Sequence, residues 1–284
     1  MDFSSVISHF NAVLSKHLPL IDDGSDVGKA ALWALEGGKR LRPALMYFIQ
    51  DALGAKTPID KAALALEMIH TSSLIADDLP SMDNDAMRRG RASTHIQFSE
   101  STAYLASYRL IALGYHMLSL CGCDLVSLFP TDGQKRHLKA LELLCVKSME
   151  MSTGQFYDLQ KEKSVTQKEL MRLKTASLFQ ATFTIAWLLC GGAMEKIDLV
   201  NEAGLYFGLA FQLADDLSDA QEDQIHGSAN WTSAYSEASA IEEFDSAMKK
   251  TERHLDALGL MNQHFKDLLD TLYKSVSCNS SLVS

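Results

Sequence analysis

The sequence predicts an all-α fold. Ala, Leu and Met are plentiful, only 5 prolines interrupt 284 residues, and 47% of the residues are hydrophobic. Apolar side chains recur at helical intervals, while period-2 runs of β-branched residues are scarce. No Pro/Gly/Ser-rich linker divides the chain, so one domain over 1–284 with a large core is expected.

Helical patterns run over 2–17, 27–36, 43–54, 60–78, 98–120, 133–152, 167–190, 198–219 and 237–274. The third opens with Pro43, which suits the first position of a helix. In the fourth, Leu66, Ile69 and Leu74 hold the apolar period, and Pro80 biases Leu79 away from helical dihedrals, placing Asp77 and Asp78 at a helix C-terminus. In the eighth, Gly204 and Gly208 would let another helix approach closely, a packing role. The polar stretch 275–284 reads as a frayed tail. No repeat of solenoid length is evident.

The formal charge of −10 argues against nucleic acid as a partner, so any anion site must be local. Five cysteines without framework spacing suggest reduced thiols and a cytoplasmic protein. Cys121-Gly122-Cys123 reads as core or loop thiols rather than a metal site. No run approaches the length of uninterrupted apolar sequence that would insert stably in a membrane, and Met1 to Leu20 lacks the form of a signal peptide.

Two aspartate clusters carry the chemistry. Asp77 and Asp78, followed by Asp83, lie where the helix macrodipole is already negative, so each charge costs a few tenths to about 1 kcal/mol unless a cation offsets it. Gln212, Asp215, Asp216 and Asp219 stand at i, i+3, i+4 and i+7, along one helical stripe of repelling charges. Hard oxygen ligands with room for water suit Mg²⁺ shared with substrate phosphates. The plainer alternative for either cluster is a solvated acidic helix end.

Basic groups complete the pattern. Gly37-Gly38-Lys39-Arg40-Leu41-Arg42-Pro43 combines a tight turn, a helix N-terminus and the cations Lys39 and Arg42, a cradle for an anion or else a solvated basic loop. Arg88 and Arg89 follow the first cluster, and Arg forks bind phosphate oxygens in a bidentate way. His70 lies two helical turns before Asp77 on the same face. Lys174-Thr175 adds a cation and a hydroxyl.

Together these residues resemble the trans-isoprenyl diphosphate synthases, the family of farnesyl and geranylgeranyl diphosphate synthases. From about Leu32 to Ala234 the family's motifs occur in order. They are Gly37 to Pro43, Glu67-Met68-Ile69-His70-Thr71, Asp77 to Asp85 with Arg88-Arg89-Gly90, Gly154-Gln155 with Asp158, Lys174-Thr175, and Phe211-Gln212-Leu213-Ala214-Asp215-Asp216.

The resemblance implies a bundle of antiparallel helices around a deep central cavity, as a homodimer, with the acidic motifs facing each other. It implies about three Mg²⁺ ions on Asp77, Asp83 and Asp215, with Asp78, Asp216 and Asp219 supporting. Arg88 and Lys174 would hold an allylic diphosphate (dimethylallyl, geranyl or farnesyl), and Lys39, Arg42, His70 and Arg89 would hold isopentenyl diphosphate. Thr175 and Gln212, beside Phe211, would offer oxygen dipoles to the allylic cation. Ser72 and Ser73, five and four residues before the first aspartate, leave the pocket floor open; with the enlarged Asp-Asp-x-x-x-x-Asp motif, this resembles the geranylgeranyl type of bacteria and plastids and a C20 product.

The chain departs from the family at three places, one of them after the second acidic motif, where Ser218-Asp219 and then Ala220-Gln221-Glu222-Asp223 stand for a Leu-Asp and a Gly-Asp step, the ligands surviving. Ser107-Tyr108 stands for a Gly-Asp pair, and the segment after Asp223, Gln224 to Thr232, lacks the family's two lysines, with Asn230 in place of the second. A catalytically weakened or non-enzymatic partner subunit in a hetero-oligomer is one alternative to an active synthase, and a class I terpene cyclase is another.

Overall fold

The computed structural model describes residues 3–162, 164–218, 231 and 235–280, the last three of these by backbone alone. Its helices are α1 (Phe3–Lys16), α2 (Leu18–Ile21), α3 (Asp26–Leu35), α4 (Leu41–Ala52), α5 (Asp60–Asp77), α6 (Thr94–Gln97), α7 (Glu100–Ser119), α8 (Gly122–Leu128), α9 (Gly133–Gln160), α10 (Gln167–Met171), α11 (Ser177–Leu189), α12 (Ile197–Ser218), α13 (Glu237–Leu258) and α14 (Gln263–Ser280). A π turn, Arg172–Ala176, joins α10 to α11. The two-residue strands β1 (Met87–Arg88) and β2 (Arg91–Ala92) pair antiparallel.

Local chemistry sets several boundaries. The side chains of Ser25, Ser99, Thr166 and Ser236 accept from main-chain amides in the first turns of α3, α7, α10 and α13, satisfying donors that a helix start leaves open. The pattern expected as one helix over 237–274 is two. At Gly259 the backbone turns left-handed (φ 72°), the Gly259 amide donates to Asp256 and the Leu260 amide to Leu255, and Leu260 is buried. That is the Schellman arrangement, which ends a helix. Part of the stretch expected as a tail is helical: α14 continues to Ser280, with Val276 buried. Pro43 falls at the third position of α4 rather than the first, α9 runs on through Gly154-Gln155 to Gln160, and α8 lies outside every predicted pattern.

The chain forms two compact units, Met1–Tyr47 with Lys56–Leu141, and Phe48–Ala55 with Glu142–Ser284. In the first, α5 packs along α7, and α3 lies on both. Gly114 of α7 lets the helices close, since a Cβ there would stand 2.9 Å from Ile69. In the second unit every residue of α11 is buried, and α12 packs against α11 and α13. Gly204 and Gly208 have the packing role expected: a Cβ would meet Gln180 Cα at 2.7 Å and Ala176 Cα at 2.6 Å. The Phe207 and Phe183 rings meet at a tilt with centroids 5.5 Å apart, and those of Phe183 and Phe265 at 6.0 Å, extending this core towards α14.

Among the described residues, one stretch, Glu100–Leu128, is long and apolar enough to cross a membrane by length and composition, with 33% of its most apolar window buried. Its exposed apolar residues include Tyr104, Leu105, Tyr108 and Ile111 of α7. Arg109, between them, donates to the carbonyls of Leu20 and Ile21 and pairs with Asp23 at 2.9 Å.

Candidate active site

In the first unit the basic residues gather at the C-terminal end of α3 and along α5. Arg40 is 4% exposed and held in a left-handed conformation (φ 56°). Its guanidinium donates to Glu67 Oε1 at 2.7 Å, to the Leu35 carbonyl and to Asn11. Arg89 donates to the carbonyls of Ala34 and Glu36. Two cations thus cover the carbonyl end of α3, where they oppose its dipole. Gly38 lies under them: a Cβ would stand 2.6 Å from Arg40 Nη1 and 2.8 Å from Glu67 Oε1.

Buried Arg42 is part of the same cluster. Desolvation, with Glu67 opposing and Arg89 reinforcing, brings its pKa down to about 10, so it stays charged at neutral pH. His70 is held well below its ordinary value of 6.5, first by desolvation and then by the charges of Arg42, Arg89, Arg40 and Arg88. A neutral imidazole among four guanidiniums, with Glu67 as the buried counter-charge, is a field that favours an incoming anion. Lys39 stands exposed beside it.

The first acidic motif leaves α5 as a closed loop. The Asp83 amide donates to the Asp77 carbonyl at 2.9 Å, and the Met82 and Asn84 amides both donate to the Leu79 carbonyl. Asp77 is half-buried and Asp83 exposed, while Asp78 is 2% exposed and accepts from Arg88 Nε at 2.8 Å and Nη2 at 2.5 Å. Desolvation raises the Asp78 pKa against the pull of Arg88, which also reaches Asp85 at 2.9 Å. Ser72 is buried and donates to the Ile69 carbonyl; Ser73 is half-buried and donates to that of His70. Ser107, of the departing Ser-Tyr pair, donates to the Ser72 carbonyl at 3.0 Å, while Tyr108 is 57% exposed.

In the second unit a small polar cavity is lined by Asp158, Met171, Lys174, Thr175, Gln212 and Asp216, among others. Lys174 pairs with Asp158. Thr175 donates to Gln212 Oε1 at 2.7 Å, and Gln212 Nε2 donates to Asp216 Oδ1 at 2.8 Å. Asp216 is 4% exposed and takes the Trp231 main-chain amide on its other oxygen, whereas Asp215 is exposed. Phe211 packs on Phe179 at 5.3 Å, a core contact. Asp219 and the lysine-free segment Gln224 to Thr232, Trp231 excepted, lie outside the described residues.

Both Asp-Asp pairs therefore divide in the same way. The second member, Asp78 or Asp216, is buried and engaged by protein donors; the first is the more open. Adjacent helical residues point about 100° apart, so the two cannot share one orientation. Among the described residues no three His, Cys, Asp or Glu side chains converge into a cage for a metal ion. Asp77, Asp83 and Asp215 are hard oxygen donors of the kind that suit Mg²⁺ shared with a phosphate ligand.

Several contributors escaped sequence reasoning. Arg40 acts through Glu67, and Trp231 through Asp216. The π turn carries Lys174 and Thr175, and Gly154 fits against it so closely that a Cβ would stand 2.4 Å from the Lys174 nitrogen. The side-chain amide of Gln155, beside Gly154, is buried with no hydrogen-bond partner among the described residues, a group that water or ligand would satisfy.

The chain is an all-α protein with a buried cationic cluster and two acidic motifs, and comparison with known proteins specifies its class. The polyprenyl synthetase family model matches residues 28–230. The farnesyl diphosphate synthase of Geobacillus stearothermophilus is 32% identical over 259 residues, covering 85% of this chain and 86% of its own. Geranylgeranyl pyrophosphate synthase 4 of Arabidopsis thaliana is 36% identical over 220 residues, 74% of this chain but 56% of its own length. The crystal structure of a geranyltransferase from Legionella pneumophila superposes with a TM-score of 0.81 at 28% identity, covering 95% of each chain. The chain belongs to the polyprenyl synthetase family and is a prenyltransferase.

Proposed function

We propose that the chain condenses isopentenyl diphosphate head-to-tail with an allylic diphosphate in a Mg²⁺-dependent reaction, giving a short-chain all-trans prenyl diphosphate with C20 favoured over C15. The observation that carries this is the cationic cluster in which Arg40 and Arg42 are buried, Arg40 pairs with Glu67 and Arg89 caps the carbonyls of Ala34 and Glu36; with burial, these charges hold the His70 pKa well below 6.5, a field suited to a second diphosphate. A terpene cyclase, with one diphosphate substrate, has no use for it.

Asp77, Asp83 and Asp215 would hold Mg²⁺, about three ions shared with the diphosphate, with Asp78, Asp216 and Asp219 in support. When bound, the metal supplies Lewis-acid neutralisation of the departing diphosphate. Lys39, Arg42, His70 and Arg89 bind isopentenyl diphosphate; Arg88 and Lys174 orient the allylic diphosphate. Thr175 and Gln212 direct oxygen dipoles at the allylic carbon as it becomes cationic, electrostatic help that needs no rearrangement at the moment of reaction. Phe211 supports this pair from the core side. The departed diphosphate takes the proton when the new double bond forms.

The small side chains of Ser72 and Ser73 favour C20 because nothing bulky closes the tail pocket on that face of α5. A homodimer covering the Tyr104, Leu105, Tyr108 and Ile111 face of α7 is the expected assembly, in the cytoplasm and without membrane insertion. The family's motifs, spread from Gly37 to Asp216, favour one catalytic domain over the chain.

The test supplies labelled isopentenyl diphosphate with dimethylallyl, geranyl or farnesyl diphosphate, with and without Mg²⁺, and chromatographs the products. Mg²⁺-dependent elongation ending at C20 is expected. Termination at C15 overturns the product length, a hydrocarbon product indicates a cyclase, and no turnover overturns the synthase reading in favour of a regulatory partner.

A further inference from the structure

The hairpin that carries Arg88 and Arg89 is built against local preference. Its two-residue turn, Arg89-Gly90, has positive φ at both positions, 54° and 72°, the pattern of a type I′ turn, which strains a residue with a Cβ such as arginine. Arg88 and Arg91 pair directly across the strands, where like charges repel. Such a hairpin keeps its place only if its surroundings hold it. At the α5 end Arg88 pairs with Asp78 and Asp85. At the α3 end the Arg91 guanidinium carbon lies 3.5 Å from the centre of the Trp33 ring, Arg91 Nη1 donates to Glu36 at 2.6 Å, and the Trp33 indole N–H donates to the Ala92 carbonyl at 3.1 Å. Arg89 adds bonds to the carbonyls of Ala34 and Glu36, but both come from one nitrogen, Nη1, and both are 3.2 Å long. Its Nε and Nη2 make no hydrogen bond among the described residues, which leaves two parallel donors for phosphate oxygens.

We propose that Arg91 is a positioning residue for the isopentenyl diphosphate site: stacked on Trp33, it docks the hairpin 87–92 on the end of α3, where the chain enters Gly37 to Arg42, and so sets the distance between Arg89 and the cations Lys39 and Arg42. The ion pair with Glu36 is the lesser part of this tie, because its side chains are 31% and 54% exposed and water and salt screen it. The stack is the greater part, since a planar guanidinium keeps its attraction to the face of a half-buried indole. Without Arg91 the hairpin rests on the bond from Trp33 to Ala92 and on the long, shared bonds of Arg89. Arg89 then divides between holding α3 and holding phosphate, which weakens the site without dismantling it. Arg88 keeps its hold on buried Asp78, so the allylic diphosphate is affected less.

This rests on the reading of Lys39, Arg42, His70 and Arg89 as the isopentenyl diphosphate site, and the test separates the two. In Arg91→Ala, KM for isopentenyl diphosphate is expected to rise about threefold to tenfold, with kcat and the allylic KM within about twofold of the unmodified enzyme. Arg91→Lys keeps the charge but lays no planar group on the ring, and its KM for isopentenyl diphosphate is expected to rise about threefold or more. An unmoved KM in Arg91→Ala overturns the proposal, as does an equal rise for both substrates. Full recovery in Arg91→Lys also overturns it, because Arg91 would then act as a charge alone. Should the unmodified chain not elongate at all, the functional reading fails, and amide hydrogen exchange over 86–93 decides the tie without substrate. Exchange faster by about threefold or more in both variants supports it, and unchanged exchange overturns it.

Discussion

The Asp83 amide donates to the Asp77 carbonyl across 2.9 Å, so the loop leaving α5 returns its third aspartate to the helix end that carries the first. Proximity of the backbones would let the two carboxylates act on one cation cluster, as the proposed reaction requires. Asp77→Ala, Asp83→Ala and Asp215→Ala are each expected to lower turnover by about two orders of magnitude or more, with far-UV circular dichroism unchanged. Near-normal activity in Asp77→Ala or Asp215→Ala would refute the metal assignment.

The Arg40–Glu67 pair predicts a separate, stability-dominated phenotype. Both side chains are almost fully enclosed, at 4% and 2% exposure, and their bond is 2.7 Å long. Removing one partner leaves a buried charge uncompensated. Arg40→Ala should lose about 3–5 kcal/mol of stability in urea unfolding, while Lys39→Ala, at an exposed position, should change it by less than about 0.5 kcal/mol. Equal midpoints for the two variants would dismiss the buried pair as a structural element.

Most helices were legible in the sequence because the apolar period is strong over α5, α7 and α11 to α12. The break at Gly259 left a signal, Leu258-Gly259-Leu260, that suits a Schellman end, yet the period on either side is regular enough to read as continuous. The π turn at Arg172–Ala176 leaves no such trace, since it changes hydrogen-bond register without demanding particular residues. Site residues were legible as types, not as roles. Asp77 and Asp78 carry identical side chains, and only burial distinguishes the one tied to Arg88. Trp231 left no signal in the sequence because its hydrogen bond to Asp216 is made by a main-chain amide.

His70 gives the pH prediction. Its folded pKa lies well below 6.5, so in the window between that value and 6.5 the unfolded chain binds more protons than the folded one. Stability then rises with pH through the window; the contribution is complete above about 6.5 and is lost as pH falls towards the folded pKa. His70→Gln should flatten this part of the stability profile. Because the surrounding arginines hold the pKa down, inorganic pyrophosphate should raise it, and an unmoved imidazole NMR titration would exclude the anion from this cluster.

Gly154→Ala tests whether the π turn must sit against α9. A Cβ would stand 2.4 Å from the Lys174 nitrogen and 2.8 Å from the Leu173 carbonyl carbon, both backbone atoms with little room to yield. The expected cost is about 1–3 kcal/mol in stability, with a further loss in kcat because Lys174 and Thr175 shift together. An alanine variant with unmodified unfolding and turnover would show that the contact tolerates a methyl group.

Product length can be tested at Ser73 without the distortion expected at Ser72. Ser72 is buried beneath α7, where Ser107 bonds its carbonyl at 3.0 Å, so a bulky side chain there must push the helices apart. Ser73 is half-buried and its hydroxyl bonds only the preceding turn, at the His70 carbonyl. A ring at this position adds volume on the open side of α5, shortening the space for a growing tail while leaving the α5–α7 contact intact. Ser73→Phe is therefore expected to move the main product from C20 to C15 with turnover within about tenfold of the unmodified enzyme. Ser72→Phe is expected to lose about 1–3 kcal/mol of stability as well. If Ser73→Phe still elongates to C20, the tail does not run along this face of α5.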